Sequence, residues 1–170
     1  MKVLLVGSFF DKIDKKQYRG SIELSEEVAV YKLQKRNMGK GEKNYSKEGT
    51  LETHYYFAKN NGNKFLFTTE SGLIRKQVKY VLLVLPDGEY GFLSKIVGKG
   101  TYPDFPEDSS YIVPTQWKDI NKNIEQEGGF NWIALELVSK IIFNIKGIPT
   151  KPSPQYMDKE VFINMLESEL

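Results

Sequence analysis

Residues 78–85 read VKYVLLVL, and Pro86-Asp87-Gly88 separates them from a second strand-like segment, Tyr90–Val97. The unbroken apolar part, Val81–Leu85, is far shorter than the ~20 residues of a membrane span, so it has to be buried inside protein. A short, nearly continuous apolar run followed by a Pro-Asp-Gly turn predicts an antiparallel hairpin whose first strand is covered on both faces. Six further segments fit the same pattern: Lys2–Ser8, Ile22–Leu24, Val28–Tyr31, His54–Ala58, Lys64–Thr69 and Tyr111–Pro114. Asn61-Gly62 predicts a type I′ turn joining His54–Ala58 to Lys64–Thr69. The expected fold class is α+β, mainly β: a seven- or eight-stranded open barrel, or pseudobarrel, with two flanking helices.

After Gly128-Gly129 the period changes. Phe130, Ile133, Ala134, Leu137, Val138, Ile141, Ile142 and Ile145 follow the i, i+3, i+4, i+7 spacing of an amphipathic helix that would plug or flank the barrel. Gly147–Gln155 contains Pro149, Pro152 and Pro154 and reads as a stiff extended connector. A second helix is expected from Asp158, its N-cap, with Val161, Phe162, Met165 and Leu166 as the apolar stripe. The expected organisation is a β-barrel nucleic-acid-binding domain over 1–146, a connector over 147–155, and a C-terminal helix over 156–170 that leads to a further domain.

Composition narrows the chemistry. The 170 residues include no cysteine and one histidine, His54, which disfavours thiolate zinc sites, cysteine nucleophiles, multi-histidine metal sites and a Ser-His-Asp triad. Val97-Gly-Lys-Gly-Thr101 lacks the spacing of a phosphate-binding P-loop and the hydroxyl directly after its lysine. Asp104, Glu107 and Asp108 lack the alternation of a calcium loop. No cofactor and no catalytic residue is expected. Met1–Phe10 lacks the long apolar region and cleavage site of a secretory signal, so a cytoplasmic location and no membrane partner are expected.

Charge is distributed unevenly along the chain. The net formal charge is +2, yet residues 1–100 carry 18 Lys/Arg against 11 Asp/Glu, a net of +7, and residues 101–170 carry 6 against 11, a net of −5. Clustered positive charge attracts phosphates, while an acidic surface turns elsewhere. The densest basic stretch, KLQKRNMGKGEKNYSK, spans Lys32–Lys47. Lys32, Lys35, Arg36, Lys40, Lys43 and Lys47 supply candidate phosphate contacts, Asn37, Asn44 and Arg36 candidate base readout, and Tyr45 a candidate stacking ring. The same composition also describes a solvated surface loop. Arg75, Lys76, Lys79, Lys95 and Lys99 form a second basic group, the last within Gly98-Lys99-Gly100. Tyr102, Phe105, Tyr111 and Trp117 lie in or beside a Pro-containing loop, where they either stack on an unpaired base or cover one end of the barrel.

Two resemblances follow from this arrangement. Tyr80–Pro114, YVLLVLPDGEYGFLSKIVGKGTYPDFPEDSSYIVP, resembles the strand, turn, Gly-containing strand and Tyr-Pro-Asp loop of EVE and other PUA-like domains, which implies an aromatic pocket that encloses a modified base. The larger pattern of short strands, two helical segments and basic arms at Lys32–Lys47 and at Arg75–Lys79 or Lys95–Lys99 is similar to the pseudobarrel DNA-binding domains of plant transcription factors and restriction enzymes. Such domains stand at the N-terminus of McrB-like restriction motors, including LlaJI-type proteins. That likeness implies site-specific binding of double-stranded DNA without catalysis, as the recognition module of a restriction and phage-defence protein with an attached nucleotide-hydrolysing motor and nuclease subunit. Three alternatives stay open: a PUA-like reader using Tyr102, Trp117 or Tyr111; a Mg²⁺-dependent nuclease using Asp87, Glu89 and Lys95; and a protein-interaction domain whose acidic portion docks a partner.

Overall fold

A computed structural model describes residues 27–33, 45–69, 72–74, 77–86, 90–115, 130–141 and 154–169. Within them the elements are β1 (Glu27–Lys32), α1 (Lys47–Asn60), β2 (Lys64–Thr69), β3 (Tyr80–Val84), β4 (Gly91–Thr101), β5 (Asn131–Ile141), β6 (Gln155–Asp158) and α2 (Lys159–Glu169). The six strands form one mixed sheet in the order β2-β5-β4-β3-β1-β6. Every pairing is antiparallel except that of β1 with β3. The described part of the protein is thus mainly β with two helices. The expected seven or eight strands become six among the described residues, and β2 and β6 stand at opposite margins without pairing to each other, so no closed barrel forms there.

The VKYVLLVL segment behaves as its composition requires. All five residues of β3 are buried, with β4 on one side and β1 on the other. The β3–β4 hairpin is antiparallel, and beyond its ladder the Leu85 N–H donates to the Tyr90 carbonyl. Asp87 and Gly88 of its turn lie outside the described residues, as do the expected strands Lys2–Ser8 and Ile22–Leu24.

Two segments exchange their expected identities. His54–Ala58 is not a strand but the second half of α1, which starts at Ser46, whose Oγ accepts from the Gly49 N–H at 3.0 Å. Aromatic and β-branched residues in THYYFA favour a strand only weakly. As a helix the segment places Leu51, Tyr55 and Ala58 on one buried stripe over the sheet. Burial of a leucine and a tyrosine contributes about 1.5–3 kcal/mol each, more than the ~1 kcal/mol span of strand propensity. The Asn61-Gly62 hairpin is therefore absent. The turn there instead closes from the Lys64 N–H to the Asn61 carbonyl, with positive φ at Gly62 and Asn63, and joins a helix to β2.

Conversely, the expected helix from Phe130 is not formed as far as Ile141, and Ile142 and Ile145 lie outside the described residues. Residues 131–141 form β5, held between β2 and β4. Trp132, Ile133, Ala134 and Leu135 are all buried, because an interior strand is covered on both faces. The first flanking helix is accordingly α1 and not this segment. Tyr111–Pro114 also forms no strand, although the Leu66 N–H donates to the Ile112 carbonyl and so gives β2 a partner on its outer edge.

At the C-terminal end, Asp158 caps α2 as expected: its Oδ1 accepts from the N–H groups of Glu160 and Val161. Of the expected stripe, Phe162 is buried and Val161 is 56% exposed, with Ile163 buried beside Phe162, while the side chains of Met165 and Leu166 lie outside the described residues. Gln155, the last residue of the expected connector, opens β6, which pairs with β1.

The sheet has two unlike faces. Tyr31, Phe65, Leu83, Phe92, Ile133 and Leu135 meet α1 in the main core. His54 belongs to it, edge-on to Phe65 and Phe67, and its Nδ1 donates to the Thr50 carbonyl at 2.8 Å. Leu66, Trp132 and Ala134 form a smaller cluster on the other face with Tyr111 and Phe130.

Candidate nucleic-acid interface

Of the candidate DNA contacts, Lys32, Tyr45, Lys47, Lys79, Lys95 and Lys99 lie in the described residues, whereas Lys35, Arg36, Asn37, Lys40, Lys43, Asn44, Arg75 and Lys76 lie outside them. Lys32 ends β1 opposite Val84. Tyr45 and Lys47 flank Ser46, so the basic stretch ends in a capped helix. A lysine in the first turn opposes the helix macrodipole by a few tenths of a kcal/mol.

Lys79, Lys95 and Lys99 lie along one margin of the strand. β3 pairs with β4 only as far as Lys95, while β4 continues to Thr101. The Ile96 N–H donates to the Lys79 carbonyl at 2.7 Å, which sets Lys79 beside the point where β4 leaves its neighbour. All three lysines are exposed. The Lys99 Nζ donates to the Ile74 carbonyl at 2.8 Å.

The β4–β5 register splits two of these lysines. Lys95 stands opposite Glu136 and Ile96 opposite Leu135, then Gly98 opposite Ala134 and Lys99 opposite Ile133, so Val97 is an inserted residue. In a regular strand Lys95 and Lys99 share a face. Here the bulge puts Lys95 on the Glu136 face and Lys99 on the Ile133 face, which is the face of the main core. The glycines are explained by packing: a Cβ on Gly100 would stand 2.5 Å from the Trp132 indole, whose Nε1 donates to the Asp104 carbonyl at 2.7 Å.

On the Lys95 face a polar row crosses four strands, with Tyr80, Lys95, Glu136 and Lys64 directly opposite one another in turn. Tyr111 donates its hydroxyl to Glu136 Oε1 at 2.9 Å, and Lys64 lies 3.6 Å from Asp108. Burial, and then the Glu136 carboxylate, push the Tyr111 phenol up to about 12. Hydrogen bonds from Ser110 hold the Asp108 carboxyl below its usual range, helped by Lys64. Sequence reading missed this row, because Lys64 and Glu136 are 72 positions apart and only strand pairing unites them. The Val97 insertion had a legible signal in the glycines that follow it, since glycine within a strand marks a bulge or a close approach.

The aromatic group serves mainly as cover. Tyr111 is buried, and Tyr102 stacks on Phe130 with ring centroids 5.4 Å apart. Phe105 meets Tyr102 edge-on and is 53% exposed. Trp117, and Asp87 and Glu89 of the nuclease alternative, lie outside the described residues. Among the described residues no group of three His, Asp or Glu side chains is placed to hold a metal ion, and no helix is long and apolar enough to cross a membrane.

No protein-family model, no curated protein and no solved structure matches this chain.

Proposed function

We propose that this chain binds double-stranded DNA without catalysis, as the cytoplasmic recognition module of a larger restriction or defence protein, on an open-barrel scaffold of which the six-stranded sheet is part. The observation that carries this reading is the gathering of Lys79, Lys95 and Lys99 at the margin where β4 outruns β3. The net +7 of residues 1–100 supports it. So does Lys47, whose unfavourable place in the first turn of α1 is relieved when a phosphate approaches the same helix end.

A fluorescence-anisotropy titration with a short random-sequence duplex at several salt concentrations tests the proposal. Each phosphate neutralised lowers log K by about 0.9 per unit of log salt, so the three marginal lysines together predict a slope near −2.7, steeper if Lys32 and Lys47 also take part. Absence of binding at low salt refutes it. A marked preference for methylated duplex turns the reading toward a PUA-like reader.

A further inference from the structure

We propose that Asn61 is a site of spontaneous deamidation. Attack by the Gly62 backbone nitrogen converts the amide that latches residues 108–111 to the α1–β2 turn into a carboxylate that releases them. The reaction is independent of duplex binding.

The Asn61 side chain reaches out of its turn. Its Nδ2 donates to the Lys64 carbonyl at 2.8 Å and to the Ser110 carbonyl at 2.9 Å. Both partners only accept, so the latch needs an amide and cannot be made by a carboxylate, which has no proton to give. Ser110 belongs to a polar knot: its N–H and hydroxyl both donate to Asp108 Oδ1, and Asp108 lies 3.6 Å from Lys64. Beside it Tyr111 packs with Leu66, Phe130, Trp132 and Ala134. The latch thus holds down part of the cover over the second face of the sheet.

The same residue heads the one Asn-Gly step in the chain. A following glycine lets the backbone nitrogen approach the side-chain carbonyl carbon, because no Cβ obstructs it. Gly62 is exposed, a Cβ there would meet nothing within 4 Å, and its N–H makes no hydrogen bond among the described residues. As the N–Cγ bond forms, the nitrogen gives its proton to solvent base, the Cγ–Nδ2 bond breaks and ammonia leaves. Water then opens the cyclic imide to aspartate or isoaspartate. Rotation about the Cα–C bond of Asn61, which stands at ψ 38°, has to break both latch bonds first. Two ordinary hydrogen bonds slow the folded chain about thirtyfold relative to the unfolded one. Once converted, the carboxylate faces two carbonyl oxygens and cannot latch again.

The test incubates the full chain at physiological temperature, folded or unfolded in guanidinium chloride, and follows each asparagine by peptide mass spectrometry. Asn61 should convert in both samples, about thirtyfold more slowly when folded. Asn60 should convert little, because it precedes an asparagine and donates only within its own helix, to the Tyr56 carbonyl. Hydrogen exchange of Asn61→Asp should show lost protection at residues 108–113 and at the Leu66 N–H, which donates to the Ile112 carbonyl, whereas Asn60→Asp should match the wild type. Asn61→Ala removes both donors without adding charge, should lose the same protection, and serves should N61D fold poorly. If Asn61 keeps its amide in the folded chain long past that interval while the unfolded chain converts, the modification site is refuted. If N61D and N61A exchange as the wild type does, the latch is refuted.

Discussion

Substituting Gly100 by alanine should destabilise the protein through a single contact. A Cβ at this position comes within 2.5 Å of Trp132 Cζ2 and 2.8 Å of Cε2, distances that side-chain carbons do not occupy. The indole is rigid, buried, and held by its hydrogen bond to Asp104, so it cannot retreat without losing that bond. Overpacking costs about 1–3 kcal/mol and the lost bond about 1 kcal/mol, against a gain of roughly 0.5–1 kcal/mol from replacing glycine within a strand. The net loss is about 2 kcal/mol, or a fall in Tm of roughly 4–8 °C for a chain of this size. Gly98 supplies the control, because a Cβ there meets Trp132 only at an ordinary 3.8 Å, and Gly98→Ala should leave the Tm unchanged or raise it. Urea and thermal unfolding of both variants, repeated in a Trp132→Leu background, would measure the coupling. Equal stability of G100A and G98A, or a G100A penalty that persists without the indole, would refute the packing account of these glycines.

Two other substitutions probe buried polar groups. Lys140 is 6% exposed on β5, its amine 4.6 Å from the centroid of the Tyr55 ring, and burial pushes its pKa down to about 8 although Glu52 opposes the shift. A lysine depressed in the folded state binds its proton more weakly than the unfolded chain does. The stability penalty is therefore full below about pH 8 and fades as pH rises toward the unfolded value. Denaturant titrations should show stability rising from pH 8 to 10, and Lys140→Met should flatten that rise; an unchanged profile would show that Lys140 does not cause it. Above about pH 10 the raised phenols of Tyr31 and Tyr111 act oppositely, since stability from a raised group is lost once the unfolded chain releases its proton. Tyr111→Phe removes the hydroxyl from Glu136 and should cost about 1–2 kcal/mol while weakening the alkaline decline, as read by urea unfolding at neutral and alkaline pH.

The parts of the fold legible in the sequence were those in which one local signal dominates. Val78–Leu85 had no polar face to show, and Asp158 stood just before an amphipathic stripe. The errors came where two periods fit the same letters. Phe130, Ile133, Ala134, Leu137 and Val138 satisfy a helical spacing, yet a strand buried on both faces has no period of its own, so helical matches arise within any apolar run. In α1 the opposite held: β-branched and aromatic letters masked Leu51, His54, Tyr55 and Ala58, whose i, i+3, i+4, i+7 spacing after a Ser46 cap was the better guide. The candidate site was legible as residue types and not as geometry. Lys95 and Lys99 could be named from charge, but their separation onto two faces depends on one inserted residue that only pairing with β5 reveals.

The mixed strand order has a consequence for assembly. β2, β3, β4 and β5 come from the continuous stretch 64–141, so their pairings close comparatively short loops, whereas β6 reaches β1 across more than a hundred residues. β1 is therefore expected to be enclosed late, and until Gln155–Asp158 docks, the apolar edge of Val28–Tyr31 stays open to the backbone of any other chain. The four residues of β6 thus act as a guard strip, and removing them should turn a stable fold into one that aggregates through its own first described strand.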